Sequence, residues 1–299
     1  MVQMKIVEES DDGTRIKVHM LETDRAFVNA IRRTLISDVP KMAITRVRFE
    51  LGTSQDGATG ESFESINALP DEFVAHRLAM LPIPTYLDEF HFPDECPDCA
   101  EIVEAERGCP RCQVLFHCSV RGTVEGVWLR AGDLNVLGDE KLQIPETYQS
   151  TQLTKLFKGQ YIEFYAYATL GRGRDHSKWC PVAAVTFIPR QVGRLNNKSK
   201  SKLLWNLNLG ITAKDFGKDG VLDDFGKVEE LKRNLHHVGE GTAIVEDFAD
   251  AVVLEDIPGE FILGFETDGS LSARVALQEA FKVLEAGFDS LNGDLAAAL

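Results

Sequence analysis

The sequence predicts a fold of mixed helices and strands, the α+β class, and three features carry this prediction. Apolar residues at helical spacing occur near both ends of the chain, within 24–40 and after about residue 270. Segments in which apolar residues alternate with polar ones lie between these two regions and predict strands. Four cysteines form two closely spaced pairs near the middle of the chain, which adds a metal-binding module to the predicted fold.

The composition limits the classes of function. A chain of 299 residues can form one large domain or two smaller ones, and its 44% hydrophobic content is typical of soluble globular proteins. The formal charge of −15 argues against direct binding of nucleic acid, because such surfaces need clustered Lys and Arg. No apolar run approaches the roughly 20 residues of a membrane span, so we expect a soluble intracellular protein with no membrane contact.

The N-terminal segment predicts a hairpin followed by a helix. Residues 4–21 alternate around a D-D-G turn, and Asp24 (or Thr23) is suited to cap the helix that follows. Pro40 cannot continue a helix and therefore ends it. The apolar face of this helix is formed by Phe27, Ala30, Ile31, Thr34 and Leu35.

A strand is predicted at 42–51, a Gly/Ser/Thr/Asp-rich loop at 52–64, and a second helix beginning near Pro70. Pro82 ends this second helix. Its His76-Arg77 pair has two interpretations, a catalytic pair or an arginine that braces nearby backbone carbonyls. The second is favoured.

The strongest chemical motif is the pair C-P-D-C and C-P-R-C. Its cysteines are Cys96, Cys99, Cys109 and Cys112, and nine residues separate the two pairs. Two such knuckles form a tetrahedral set of four thiolates, which suits one structural Zn²⁺ with Zn–S bonds of about 2.3 Å. The alternatives are an iron–sulfur site or a site that no longer binds metal. His117 and Cys118 lie close enough to substitute as ligands, but V-L-F-H-C-S-V favours a strand.

The second half of the chain predicts further strands and a long final helix. Strands are expected at 113–127 and 159–169, and V-A-A-V-T-F-I (182–188) predicts a core strand. The basic loop at 172–178 is expected to be a solvated hairpin tip or an inter-subunit contact. Residues 190–256 differ in composition and predict a peripheral subdomain. The final helix carries a seam with alternating spacings of four and three, typical of packing along another helix: Leu277, Phe281, Leu284, Phe288 and Leu291.

Two blocks of this sequence resemble a known family. They are F-V-N-A-I-R-R-T-L-I-S-D-V-P-K-M-A-I (27–44) and L-P-D-E-F-V-A-H-R-L-A-M-L-P-I (69–83). K-G-Q (158–160), H-S-K-W-C-P-V-A-A-V (176–185) and E-T-D-G-S-L (266–271) support them. The chain resembles the α-like subunits of multisubunit RNA polymerases, most closely the third-largest subunit of eukaryotic RNA polymerase II and its counterpart in archaeal RNA polymerase.

The resemblance implies a split dimerisation domain formed by 1–46 and 182–299, with a peripheral insertion at about 190–256. A mainly β domain at 47–181 is inserted in it and carries the zinc-binding knuckles at 96–112. The resemblance also implies a non-catalytic assembly subunit of DNA-directed RNA polymerase, most closely RNA polymerase II. The dimer interface would comprise Phe27, Ala30, Ile31, Leu35 and the seam residues of the final helix.

The implied partners are a smaller α-like subunit, the second-largest polymerase subunit and small zinc-bearing subunits, with DNA contacted only through the complex. The implied location is the nucleus, or the cytoplasm if the protein is archaeal. Residues 190–256 contain no cysteine, which argues against the iron–sulfur cluster of some archaeal relatives. The alternatives are a stand-alone zinc-ribbon transcription factor and a zinc hydrolase. The hydrolase is disfavoured because four thiolates leave no coordination position for water.

Overall fold

The computed structural model describes residues 3–57, 59–65, 69–207 and 210–298. The described strands are β1 (Gln3–Glu9), β2 (Arg15–Leu21), β3 (Pro40–Phe49), β4 (Thr53–Gln55), β5 (Ser62–Glu64), β6 (Gln113–Arg121), β7 (Val127–Arg130), β8 (Asn135–Val136), β9 (Gln152–Leu156), β10 (Tyr161–Arg172), β11 (Val182–Leu195), β12 (Val221–Leu222) and β13 (Val252–Thr267). The described α-helices are α1 (Arg25–Ser37), α2 (Asp71–Ala79), α3 (Glu146–Gln149), α4 (Lys202–Asn206), α5 (Phe225–Leu235), α6 (Val245–Phe248) and α7 (Ala273–Ala298).

These strands form two main sheets, which confirms the α+β class. The five-stranded sheet has the order β1-β2-β13-β11-β12, and the four-stranded sheet has the order β3-β10-β6-β8. Two small two-stranded sheets pair β4 with β5 and β7 with β9. Within the described residues, no helix has both the length and the apolar character needed to cross a bilayer.

The chain forms two compact units. One comprises the described residues of Met1–Val7, Lys17–Val28 and Phe187–Leu263. The other comprises the described residues of Glu8–Ile16, Asn29–Thr186 and Gly264–Leu299.

The core of the second unit is built around β10. Its even-numbered side chains from Ile162 to Leu170 are buried together with Phe116 of β6 and Leu78 of α2. Its odd-numbered side chains from Glu163 to Thr169 are only half-buried, because successive residues of a strand point to opposite faces. One face of the four-stranded sheet therefore supports the core and the other is open.

Helix α1 begins and ends where the sequence predicts. The N–H of Phe27 donates to Oδ1 of Asp24 at 2.8 Å, so Asp24 caps the first turn. The helix ends at Ser37, and β3 begins at Pro40. Its buried apolar residues are Val28, Ile31 and Leu35, whereas Phe27 and Ala30 are half-buried.

Residues 190–256 have their own apolar core, within the first unit. Side chains from α4, β12, α5 and α6 form it, together with residues of the connecting loops. The buried members include Leu204, Phe216, Leu222, Leu231 and Phe248. The composition shift noted in the sequence thus coincides with a separate cluster of apolar side chains.

Two local expectations were wrong. The polar stretch at 52–64 is not only a loop, because Thr53–Gln55 pairs with Ser62–Glu64 and Phe63 is buried. The segment 182–188 is a strand but not a core strand, since Val182 is its only buried residue and Ile188 is 41% exposed. β-branched and aromatic residues indicate a strand without indicating which of its faces is covered.

Candidate metal centre and subunit interface

The two C-P-x-C motifs form matching turns. The N–H groups of Cys99 and Ala100 donate to the carbonyl of Cys96 at 3.1 and 2.9 Å. In the same way, the N–H groups of Cys112 and Gln113 donate to the carbonyl of Cys109 at 3.0 and 2.9 Å. Each turn brings its two sulfurs together, because the chain reverses between the first and the second cysteine.

The four sulfur atoms have the spacing of a tetrahedral metal site. Sγ of Cys96 lies 3.6 Å from Sγ of Cys109, which lies 3.8 Å from Sγ of Cys112, and Cys112 lies 3.9 Å from Cys99. All four lie within 4.8 Å of one another, and none forms a disulfide. A tetrahedron with Zn–S bonds of about 2.3 Å has S···S edges of about 3.8 Å. The four sulfurs can therefore hold one metal ion in tetrahedral geometry, and its identity as Zn²⁺ stays a prediction.

Burial keeps the thiol of Cys112 protonated when the cluster holds no metal. Cys96, Cys99 and Cys112 are buried and Cys109 is half-buried. Burial, together with the neighbouring thiols of the cluster, raises the pKa of the Cys112 thiol to about 12. A bound cation supplies the charge that stabilises the thiolates, so metal binding displaces protons.

An arginine braces the loop between the knuckles. Nε of Arg107 donates to the carbonyl of Ile102 at 2.9 Å, and its Nη2 donates to the carbonyl of Ala100 at 3.1 Å. These bonds hold the nine-residue connection in a compact form that keeps the two knuckles together.

Other candidate ligands lie outside this cluster. Cys118 is buried on β6, and its neighbour His117 has Nε2 3.2 Å from Oε1 of Glu163. His236 and His237 follow α5 and belong to no metal-binding group among the described residues. The strand expected at 113–127 forms over Gln113–Arg121, and the position of His117 and Cys118 within it agrees with the expectation that they belong to a strand.

Several motif residues have structural roles in the second unit. Arg77 donates to the backbone carbonyl of Leu153, which matches the bracing role favoured for it from the sequence. The indole of Trp179 covers Gly171, where a Cβ would lie only 2.2 Å from the ring, and its N–H donates to the carbonyl of Thr169 at 3.1 Å. In the basic loop, Arg174 pairs with Asp38 at 2.8 Å.

The seam of α7 becomes progressively more exposed along the helix. Ala273, Ala276 and Ala280 are fully buried, so the start of the helix packs closely on its own chain. The predicted seam residues Leu277, Phe281 and Leu284 are half-buried, whereas Phe288 is 57% and Leu291 62% exposed. Leu295, 57% exposed, continues the same spacing and was not identified from the sequence.

Comparison with known proteins identifies the family. The model of the RNA polymerase Rpb3/Rpb11 dimerisation domain matches residues 17–288. The chain belongs to this family. The resemblance inferred from the motif blocks at 27–44 and 69–83 is thereby confirmed.

Full-length relatives agree with this membership. The chain is similar to DNA-directed RNA polymerase subunit Rpo3 of Thermoplasma volcanium, with 29% identity over 286 residues that cover 95% of each chain. The same subunit of Archaeoglobus fulgidus is 29% identical over 294 residues, covering 98% of this chain and 97% of that one. Subunit 3B of DNA-directed RNA polymerases IV and V of Arabidopsis thaliana is 30% identical over 307 residues, covering 96% and 89%.

Proposed function

We propose that this chain is the larger α-like subunit of a multisubunit DNA-directed RNA polymerase and serves as a non-catalytic assembly scaffold. Membership of the Rpb3/Rpb11 dimerisation-domain family supports this proposal, as do the polymerase-subunit names of its full-length relatives. The observation that carries it is the second half of α7, whose apolar seam residues Phe288, Leu291 and Leu295 are exposed. Such a row of large apolar side chains favours a helical partner.

The proposed partner is a smaller α-like subunit. The proposed contact surface comprises the exposed seam of α7 and the half-buried Ala30 of α1; Phe27, also half-buried, is proposed as a separate contact. Ile31 and Leu35 are fully buried in the chain, so they support this surface from beneath rather than contacting the partner. Burial of each large side chain of the seam contributes of order 1.5–3 kcal/mol to association before the entropy of binding is subtracted.

The proposed domain division follows the family. Residues 1–46 and 182–299 form the dimerisation domain, and 47–181 form the inserted domain with one structural Zn²⁺ at Cys96, Cys99, Cys109 and Cys112. Four thiolates leave no coordination position for a water molecule, so this ion would hold the 96–112 loop in shape. The heterodimer would then recruit the second-largest subunit and small zinc-bearing subunits, and DNA would be contacted only through the complex.

Two polymerases fit this proposal. The motif blocks resemble the third-largest subunit of RNA polymerase II, which would place the protein in the nucleus. The full-coverage similarity to archaeal Rpo3 subunits favours an archaeal enzyme in the cytoplasm as the second candidate.

Native mass spectrometry of the tagged chain, isolated gently from its own cells, tests the proposal. We expect a complex that contains a small α-like chain and very large subunits, with about one zinc on this chain. The masses of the large subunits also identify the polymerase. A lone chain or a homodimer at low salt would contradict the scaffold function and favour a stand-alone factor.

A further inference from the structure

The open face of the four-stranded sheet carries a row of aromatic and cationic side chains. Tyr165 of β10 lies opposite Arg48 of β3 on one side and His117 of β6 on the other. Two residues along, Tyr167 lies opposite Arg46. These five residues, which we call the arginine–tyrosine face, point away from the core because their strand neighbours point into it.

The guanidinium groups of this face lie over the tyrosine rings. The guanidinium carbon of Arg46 lies 4.3 Å from the ring centroid of Tyr167, and that of Arg48 lies 4.9 Å from the centroid of Tyr165. The ring of His117 lies 4.9 Å from that of Tyr165 on its other side. An arrangement of this kind attracts the cation to the ring and restricts its motion.

Hydrogen bonds hold the two arginines in place. Nη1 of Arg46 donates to the carbonyl of Ala105 in the metal-binding loop at 3.4 Å, and Nε of Arg48 donates to Oε1 of Glu50 at 2.9 Å. Side chains ordered in advance lose less entropy when a ligand binds. Arg and Tyr are also the residues that most often dominate the energy of protein interfaces.

An apolar margin adjoins the arginine–tyrosine face. Leu115 lies opposite Tyr167 on β6, and its carbonyl accepts the N–H of Leu137 at 2.7 Å. Leu137 is 51% exposed. Both leucines line a groove of about 440 Å³ beside Cys109 and Pro110 of the second knuckle. The surface therefore offers fixed cations next to apolar side chains.

We propose that the arginine–tyrosine face binds an acidic, extended segment of a partner protein. Arg46 and Arg48 are alternate residues of one strand, so their Cα atoms lie roughly 7 Å apart, the spacing of carboxylates on alternate residues of an extended chain. The face belongs to neither α1 nor α7, so this site is separate from the proposed subunit seam. Nucleic acid is a poorer match, because its binding needs many clustered Lys and Arg, whereas this face has two arginines beside apolar leucines.

Fluorescence anisotropy on the full-length chain tests this site. The probe is a labelled peptide of alternating glutamate and valine, which combines an extended conformation with regularly spaced carboxylates. The comparison probes are the matching lysine–valine peptide and labelled oligothymidine. The variants are Arg46→Glu with Arg48→Glu, the milder pair Arg46→Gln with Arg48→Gln, and the matched control Arg233→Glu on the exposed side of α5.

We expect the acidic peptide to bind the unchanged chain and the control variant equally. Charge reversal should weaken binding roughly tenfold or more, and the glutamine pair should weaken it by less, since it removes attraction without adding repulsion. Circular dichroism shows whether each variant is folded. If the charge-reversed variant is misfolded, the loss of binding by the glutamine variant still tests the site. Equal affinity in all variants, no binding of the acidic peptide, or tighter binding of oligothymidine or the lysine peptide would overturn the proposal.

Discussion

Lys41 and Asp268 form an ion pair that joins the start of β3 to the turn before α7. The side chain of Lys41 is 3% exposed and that of Asp268 30%. The second carboxylate oxygen of Asp268 accepts the N–H of Ser270 at 3.0 Å and its hydroxyl at 2.5 Å. The pair therefore connects two of the family motifs, V-P-K-M-A-I and E-T-D-G-S-L, and fixes the chain where α7 begins.

Replacement of Lys41 by methionine should destabilise the protein. The methionine side chain fills the buried space but leaves the partly buried Asp268 without its cation. We therefore expect the free energy of unfolding to fall by about 2–4 kcal/mol. This range is set below that of a fully buried pair because Asp268 is partly hydrated. Urea denaturation of the purified chain measures the difference.

Lys158→Met is the matched control. Lys158 pairs with Glu61 at 3.4 Å, and the two side chains are 64% and 51% exposed. Loss of an exposed pair of this kind changes stability by only about 0–0.5 kcal/mol. Equal effects of the two substitutions would contradict a structural role for the Lys41–Asp268 pair.

The four cysteines should bind one zinc ion in the purified protein. Cys112→Ser replaces a buried thiolate ligand with a hydroxyl, so we expect loss of most of the zinc and a lower melting temperature. Metal content is measured by elemental analysis, which also detects iron. Cys180→Ser, which lies outside the cluster, should keep its zinc. Stoichiometric iron, or full zinc retention by Cys112→Ser, would refute the assignment.

Phe288→Asp should abolish pairing with the smaller α-like subunit while leaving the chain folded. Phe288 is 57% exposed, so the charge is tolerated in the free chain but would be desolvated in the interface. Phe27 and Phe281 are less suitable test positions, since both are half-buried in the chain itself. Co-purification of the two co-expressed subunits measures the effect.

The control for this substitution is Ala286→Asp on the same helix. Ala286 is also exposed. It lies two positions before Phe288, and residues two positions apart on a helix do not share a face, so Ala286 lies away from the seam. It should co-purify with the partner as the unchanged chain does. If Phe288→Asp also retains the partner, the seam is not the contact surface.

Asp12 should titrate well below an ordinary aspartate. The hydroxyl of Ser10 donates to Oδ1 of Asp12 at 2.6 Å, and the N–H and hydroxyl of Thr14 donate to it at 3.0 and 2.8 Å. These bonds lower the pKa of Asp12 from 3.8 to about 2. The charged form therefore stabilises the β1–β2 turn at pH values above about 4, and this contribution is lost as the pH falls towards about 2.

Carboxyl-carbon NMR titration measures this pKa. The variant Ser10→Ala removes the strongest of these bonds, so the pKa of Asp12 should rise towards 3.8. A value near 3.8 in the unchanged protein, or no rise in the variant, would show that the turn does not form these bonds in solution.

Local features of this protein were predictable from the sequence. The Asp24 cap, the end of α1 before Pro40 and the two cysteine knuckles each depend on residues a few positions apart. The motif blocks at 27–44 and 69–83 also identified the family, which the comparison confirmed.

The tertiary structure alone decided which distant residues meet. Lys41 and Asp268 are 227 positions apart, and no local pattern marks them as a pair. The arginine–tyrosine face likewise depends on the register of three strands, which sets Arg48, Tyr165 and His117 in one row.

The helical spacing of α7 determined its seam but not how much of that seam the chain itself covers. That coverage ends before Phe288, whose exposure only the packed structure reveals. The physical reason is that local spacing sets the conformation of a segment and the face on which its apolar residues lie. Which other segment of the chain packs on that face depends on the topology of the fold, that is, on contacts between residues far apart in the sequence.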